Sequence, residues 1–182
     1  DRDREVDRLE KEIDEHCLLV LATQQPTAVD LRFLYSVMKI LTDLERMGDS
    51  AKNIAQAAQV VNQDSPFGPY VDLPRMSRLV RQMVHDSLDA FVQRNPDLAR
   101  EILGRDDEVD ELHDALSGEL LELTTSQPAR ARSLMYLQLI VLNLEHIADH
   151  ATNVCEDVIY FVEGRDVRHA STRYTEAEAR EG

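Results

Sequence analysis

One helical segment occurs twice in this chain, and no other feature constrains it as tightly. DLERMGDSAKNIA at 43–55 and NLEHIADHATNVC at 143–155 each carry Glu-x3-Asp-x3-Asn: Glu45, Asp49 and Asn53, then Glu145, Asp149 and Asn153. Side chains four apart on an α-helix are neighbours on one face. Two carboxylates placed so repel unless solvent or a cation lies between them, and the helix gains nothing from the spacing alone. Recurrence at matching positions of a longer repeat asks for a shared cause. A pair of oxygen-ligand metal sites on an all-helical regulatory protein supplies one.

The repeat extends beyond these segments. At an offset of 103, Arg2, Asp3, Glu5, Val6, Asp7, Leu9 and Leu18 match Arg105, Asp106, Glu108, Val109, Asp110, Leu112 and Leu121. At an offset of 100, Arg32, Leu34, Ile40, Leu44, Glu45, Asp49, Ala51 and Asn53 match Arg132, Leu134, Ile140, Leu144, Glu145, Asp149, Ala151 and Asn153. The offset changes within the turn between helices, where a length change costs little. The fold class expected is all-α, a tandem repeat of three-helix bundles. The first bundle lacks its N-terminal helix, a stretch of ~30 residues by analogy with 75–105. The chain opens at Asp1, already inside a periodic segment, and reads as a fragment.

Apolar periodicity places the elements. Residues 1–23 read as helix, with Val6, Leu9, Ile13, Cys17 and Val20 on one stripe. QQPTAVD (24–30) is a break in which Thr27 and Asp30 resemble a capping box. A helix over about 28–61 carries Phe33, Val37, Ile40, Leu44, Met47, Ala51, Ile54 and Ala58. Three prolines and a glycine make 62–74 a linker. Helices are expected over about 75–94, 96–124 (capped by Asn95) and 130–163 (stopped by Gly164), with a polar tail from Asp166. The organisation is therefore 1–62 first repeat, 63–74 linker, 75–165 second repeat and 166–182 tail.

Composition narrows the function. Charged residues are 30%, aromatics 5% and tryptophan is absent, a helical rather than a β-rich balance. A net charge of −15 argues against nucleic acid and towards cations or basic partner surfaces, although a solvated acidic surface accounts for most of it. No apolar run approaches membrane-spanning length and no signal peptide is visible. Cys17 and Cys155 stand apart within apolar patterns, as core residues of a protein in a reducing cytoplasm.

The acidic residues converge across the turns. Asp7 and Glu45 each lie 19 residues from Pro26, and Asp3 and Asp49 each lie 23 from it. Around Pro128, Asp110 and Glu145 lie 18 before and 17 after, and Asp106 and Asp149 lie 22 before and 21 after. Equal rise per residue puts each pair at one height in an antiparallel hairpin. Four carboxylates that close need protons or counter-charge. The competing readings are a solvated helix face for each Glu-x3-Asp, first-turn electrostatics for the four aspartates, and local hydrogen bonding for Asn53 and Asn153. His146 and His150 match Arg46 and Ser50, so they stand outside the shared set and read as exposed or locally bonded. Arg32, Arg132 and Lys39 could hold an anion, but charge balance at helix turns explains them equally well. No glycine-rich phosphate loop and no nucleophile-with-base arrangement is present, so no enzyme is expected.

QPTAVDLRF (25–33), the two acidic segments and GRDVRH (164–169) resemble the PhoU family of phosphate-specific transport accessory and regulatory proteins. The resemblance covers nearly the whole chain. It implies two tandem three-helix bundles related by pseudo-twofold symmetry. It further implies a cytoplasmic negative regulator of the phosphate-starvation response that links the ATPase subunit of the phosphate ABC transporter to a sensor histidine kinase. The family's metal motif carries over to Glu45, Asp49, Glu145 and Asp149, with Asp3, Asp7, Asp106 and Asp110 matching its acidic helix start. All-oxygen ligation favours magnesium, manganese, calcium or iron; the family adds iron and zinc. The apolar groove left by the absent helix should be filled by a symmetry mate (a homodimer), a swapped segment or a partner. Two rival readings are a metal-independent helical scaffold and, less well supported, a metal-dependent hydrolase.

Overall fold

The computed structural model describes residues 2–63 and 72–168, with side chains from Glu5 onward except that of Asp7. Six α-helices follow in order: α1 (Arg2–Gln24), α2 (Ala28–Val61), α3 (Leu73–Gln93), α4 (Pro96–Leu103), α5 (Asp106–Ser126) and α6 (Ala131–Glu163). A 3-10 turn, Pro128–Arg130, leads into α6. The described residues contain no strand, so the chain is all-helical as its sequence implies.

α6 is the spine. Leu134, Leu137, Val141, Leu144, Val154, Val158 and Phe161 are buried along it, so apolar residues cover more than one stripe. A helix buried this widely must be surrounded: α2, α3, α4 and α5 all pack against it, while α1 packs chiefly on α2. Phe33, Phe91 and Phe161 join α2, α3 and α6, with ring centroids 5.7–5.9 Å apart in one stacked and two edge-on pairs. On α1 only Cys17 is buried; Val6, Leu9, Ile13 and Val20, the rest of its stripe, are 36–42% exposed. An apolar face of that hairpin therefore stands uncovered by any described residue.

Three local expectations are corrected. The helix read over 96–124 is two helices, α4 and α5. Gly104 ends the first, with its N–H on Arg100 O, and Glu108 N–H on Arg105 O opens the second. Arg105 braces this corner with 2.6 Å and 2.8 Å bonds to Asp86 and Glu101. Thr27 stands at the N-cap of α2 but its side chain makes no capping bond, so the Thr27–Asp30 box does not form; Asp30 N–H takes Thr27 O instead. Ala51, assigned to the apolar stripe of α2, is exposed. Two other expectations hold: Asn95 Oδ1 accepts from Asp97 and Leu98 N–H at 3.1 Å, and Gly164 ends α6 in the left-handed conformation, φ 72°.

The α2–α6 seam is held by polar groups that the repeat places reciprocally. Asn53 Nδ2 donates to Asn143 Oδ1 at 3.2 Å, and Asn153 Nδ2 donates to Asp43 Oδ1 at 3.1 Å. Positions 43 and 143 are repeat counterparts, as are 53 and 153, so the same pair of positions bonds twice, once in each direction across the seam. The asparagines thus reach across the seam rather than bonding locally. His150 Nδ1 also lies 2.9 Å from Asp43 Oδ1, with His150 16% and Asp43 10% exposed, so this histidine is neither exposed nor locally bonded. Lys39 pairs with buried Asp157, and Ser36 Oγ donates to Asp157 O at 3.3 Å.

Two substitutions test this packing. Phe161→Ala removes the residue shared by two of the three ring pairs and should cost roughly 3–5 kcal/mol in denaturant melts. Asn153→Ala strips a donor from buried Asp43 and should cost about 1–2 kcal/mol, more than Asn53→Ala at the exposed end of the twin bond. Equal and negligible effects of the two asparagine changes would refute the seam's role.

Candidate metal centre

The second repeat gathers its acidic residues. α5 opens at Asp106, and Asp106 and Asp110 lie one turn apart on it; Glu145 and Asp149 lie one turn apart on α6, against which α5 packs. Burial pushes the Asp106 carboxyl up to about 6, and the charges of Asp110, Asp149, Asp107 and Glu145 add to the rise. Glu145 is raised by burial and then by Asp149, with Asp110 contributing; Asp149 is raised by burial, with Asp110 contributing and His146 opposing. The four carboxylates feel one another across the α5–α6 hairpin.

Hydrogen bonding leaves the cluster incomplete. Asp106 Oδ1 and Glu145 Oε2 are buried and have no hydrogen-bond partner. Buried acceptors are almost always satisfied, and two orphans in one acidic cluster mark a place for a proton or a cation. The donor set is oxygen, with His146 Nε2 3.5 Å from Glu145 Oε2. Such donors suit a hard cation. The cluster is open, however: among the described residues no three His, Cys, Asp or Glu side chains stand close enough to form a coordination sphere.

The first repeat is arranged differently. Asp49 is 56% exposed and lies 3.7 Å from Lys52 Nζ, so a lysine on its own helix offsets it. Glu45 is half-buried. Asp3 and Asp7 lie on α1, but their side chains fall outside the described residues. The repeat symmetry of the sequence is therefore matched in helix positions and not in the surroundings of the two acidic stripes.

Sequence reasoning passed over the polar seam beside the cluster. Asp43, the first residue of the repeated segment, carries bonds from both Asn153 and His150. The signal was present: the paired segments open on Asp43 and Asn143, both hydrogen-bonding residues three after the stripe positions Ile40 and Ile140. The segments QPTAVDLRF and GRDVRH also meet. Arg32 Nε donates to Phe161 O at 3.4 Å, and its guanidinium packs beside Gly164, where an added Cβ would stand in ordinary contact 3.4 Å from Arg32 Cζ. Glycine suits that position because of its positive φ.

The chain matches the family model described as PhoU domain over residues 1–58 and 73–158. It is 41% identical over 167 residues to a phosphate-specific transport system accessory protein PhoU homolog of Aquifex aeolicus, covering 92% of this chain and 76% of that protein. A homolog of the same name in Pseudomonas aeruginosa is 38% identical over 92% of this chain and 69% of its own length. The crystal structure of PhoU from P. aeruginosa superposes with a TM-score of 0.85 at 36% identity, over 90% of this chain and 78% of that one. That of the phosphate transport system regulatory protein PhoU from Streptococcus pneumoniae gives 0.83 at 31%, over 91% and 78%. On sequence and on fold alike, this chain belongs to the PhoU family.

Proposed function

We propose that the chain is a non-catalytic regulatory adaptor of phosphate uptake. In this reading it works in the cytoplasm, linking the ATPase subunit of the phosphate ABC transporter to a sensor histidine kinase and holding the starvation response off. One observation carries the reading: relatives named as accessory proteins of phosphate-specific transport align over more than nine-tenths of the chain. No described helix is long and apolar enough to cross a membrane, which suits a protein that reaches a transporter through its surface.

The cation part of the proposal rests on the α5–α6 hairpin. Asp106, Asp110, Glu145 and Asp149 would hold an ion (magnesium, manganese, iron or zinc), with Glu45, Asp49, Asp3 and Asp7 as the corresponding set in the first repeat. The ion would supply positive charge. The residues themselves set the consequence: with their repulsion relieved, α5 and α6 hold one geometry and present one acidic surface to partners. The two orphan oxygens, Asp106 Oδ1 and Glu145 Oε2, support this above a metal-independent scaffold.

The protonation of Asp106 gives a test with a definite sign. Its carboxyl titrates at about 6 in the folded protein, against about 3.9 in an unfolded chain. Between those values the folded state holds the extra proton, so stability of the metal-free protein falls as pH rises through that window. The side chain is only partly buried, which reduces the effect to about 1 kcal/mol. Denaturant melts of chelator-treated protein should show this fall between about pH 4 and about pH 6. Asp106→Asn should flatten it, and manganese at neutral pH should restore the loss. Stability that climbs through the window, and that ignores manganese, contradicts the proposal.

Partner binding tests the adaptor itself. The transporter ATPase and the kinase's cytoplasmic region should each co-purify with the wild-type chain. Glu145→Ala/Asp149→Ala or a chelator should lower retention at least about tenfold. Retention indifferent to both treatments would favour the plain scaffold, and no retention of either protein would end the adaptor reading.

A further inference from the structure

Along the α2–α6 seam lies a cleft of about 320 Å³ lined by Lys39, Thr42, Asp43, Arg46, Asn153 and Arg168. Three cations converge there in a chain of net charge −15. Lys39 and Arg46 stand two turns apart on one face of α2. Arg168 arrives from the segment after α6, whose path begins where Arg32 lies against Gly164. Asp166 then sets Arg168, accepting from its Nε at 2.8 Å and its Nη2 at 2.6 Å. From these placements we infer that the cleft is a binding site for a phosphoryl group, either free phosphate or the phosphate of a nucleotide.

The carboxylates in and behind the cleft each take at least one donor, although Asp157 Oδ2 is buried without one. Asp43 takes bonds from Asn153 and His150, Asp157 pairs with Lys39, and Asp166 with Arg168. What remains is donor capacity. Arg46 has no hydrogen-bond or ion-pair partner among the described residues, and Arg168 keeps Nη1 free of Asp166. Lys39 retains further N–H groups beyond the one on Asp157. Two guanidinium forks and an ammonium around one hollow match the several oxygens of a phosphoryl group better than a single carboxylate. The volume lies at the small end of ligand clefts, enough for a phosphate with a modest substituent.

The repeat supplies a second, independent argument. The counterparts of Lys39, Thr42 and Arg46 are Leu139, Leu142 and His146. The corresponding surface of the other half is thus apolar, with Leu139 46% and Leu142 37% exposed. Acidic stripes are kept in both repeats; the cationic cleft is kept in one. Duplication alone cannot produce it, and a net charge of −15 gives no general reason for three cations to gather. Arg46 also lines the adjoining hollow with His146, Asp149 and His150, so an anion in the cleft would sit beside the acidic cluster of the second repeat.

Calorimetric titration of chelator-treated chain tests the site without interference from any bound cation. Inorganic phosphate and AMP are titrated separately into wild type, Arg46→Ala, Arg168→Ala and, as a control outside the cleft, Arg132→Ala. Arg46 and Arg132 are both exposed, and thermal melts confirm that each variant is folded. Binding of either ligand that weakens at least about tenfold in Arg46→Ala and in Arg168→Ala, but not in Arg132→Ala, is the expected result. Phosphate binding assigns the site to the free ion, and binding of AMP alone assigns it to a nucleotide. Absence of both, or binding unchanged by the two cleft variants, overturns the assignment.

Discussion

The seam between α2 and α6 is the constraint on which the rest depends. Both helices exceed thirty residues, about 50 Å of contact length. Such helices can slide or rotate on apolar contacts alone. Buried polar groups remove that freedom, because each misplaced one loses a partner at the full cost of desolvation. Asn53 with Asn143, Asn153 with Asp43, and Lys39 with Asp157 fix the register at three heights. Once that register is set, the acidic stripe of α6 is turned toward α5, and Lys39 and Arg46 are left along the seam.

Charge is then distributed with a purpose that composition does not reveal. The α5–α6 hairpin concentrates carboxylates and leaves two of their oxygens without donors. The seam pairs Asp43 with Asn153 and His150 and Asp157 with Lys39, although Asp157 Oδ2 too is buried without a donor. The first arrangement is costly without protons or counter-charge; the second is more fully paired. The proposed adaptor would join a surface that follows the state of one small site to a spine held by paired groups.

Much of this was legible in the sequence. Helix periodicity, the repeat offsets and the height match around Pro128 placed α5 and α6 and brought Asp106, Asp110, Glu145 and Asp149 together, because rise per residue is nearly invariant. The break at Gly104 was not legible, since Pro96 to Ser126 keeps a helical apolar pattern through it; only the backbone bonds at Arg100 and Arg105 show the corner. Nor were the seam's bonds, which join residues about a hundred positions apart. The repeat hid them in one sense and announced them in another: Asn53 and Asn153 recur, but recurrence does not tell a local partner from one on the other half. The differing surroundings of Asp49 and Asp149 come from Lys52, whose counterpart is Thr152, in one case and burial against α5 in the other.

The central claim is that the four carboxylates of the α5–α6 hairpin hold a cation. Anomalous diffraction from crystals of this chain soaked in manganese, recorded at the manganese edge, tests it most directly. The account predicts a peak within about 2–2.6 Å of oxygens from Asp106, Asp110, Glu145 and Asp149. Crystals that show no peak there, with those side chains turned apart into solvent, would contradict it.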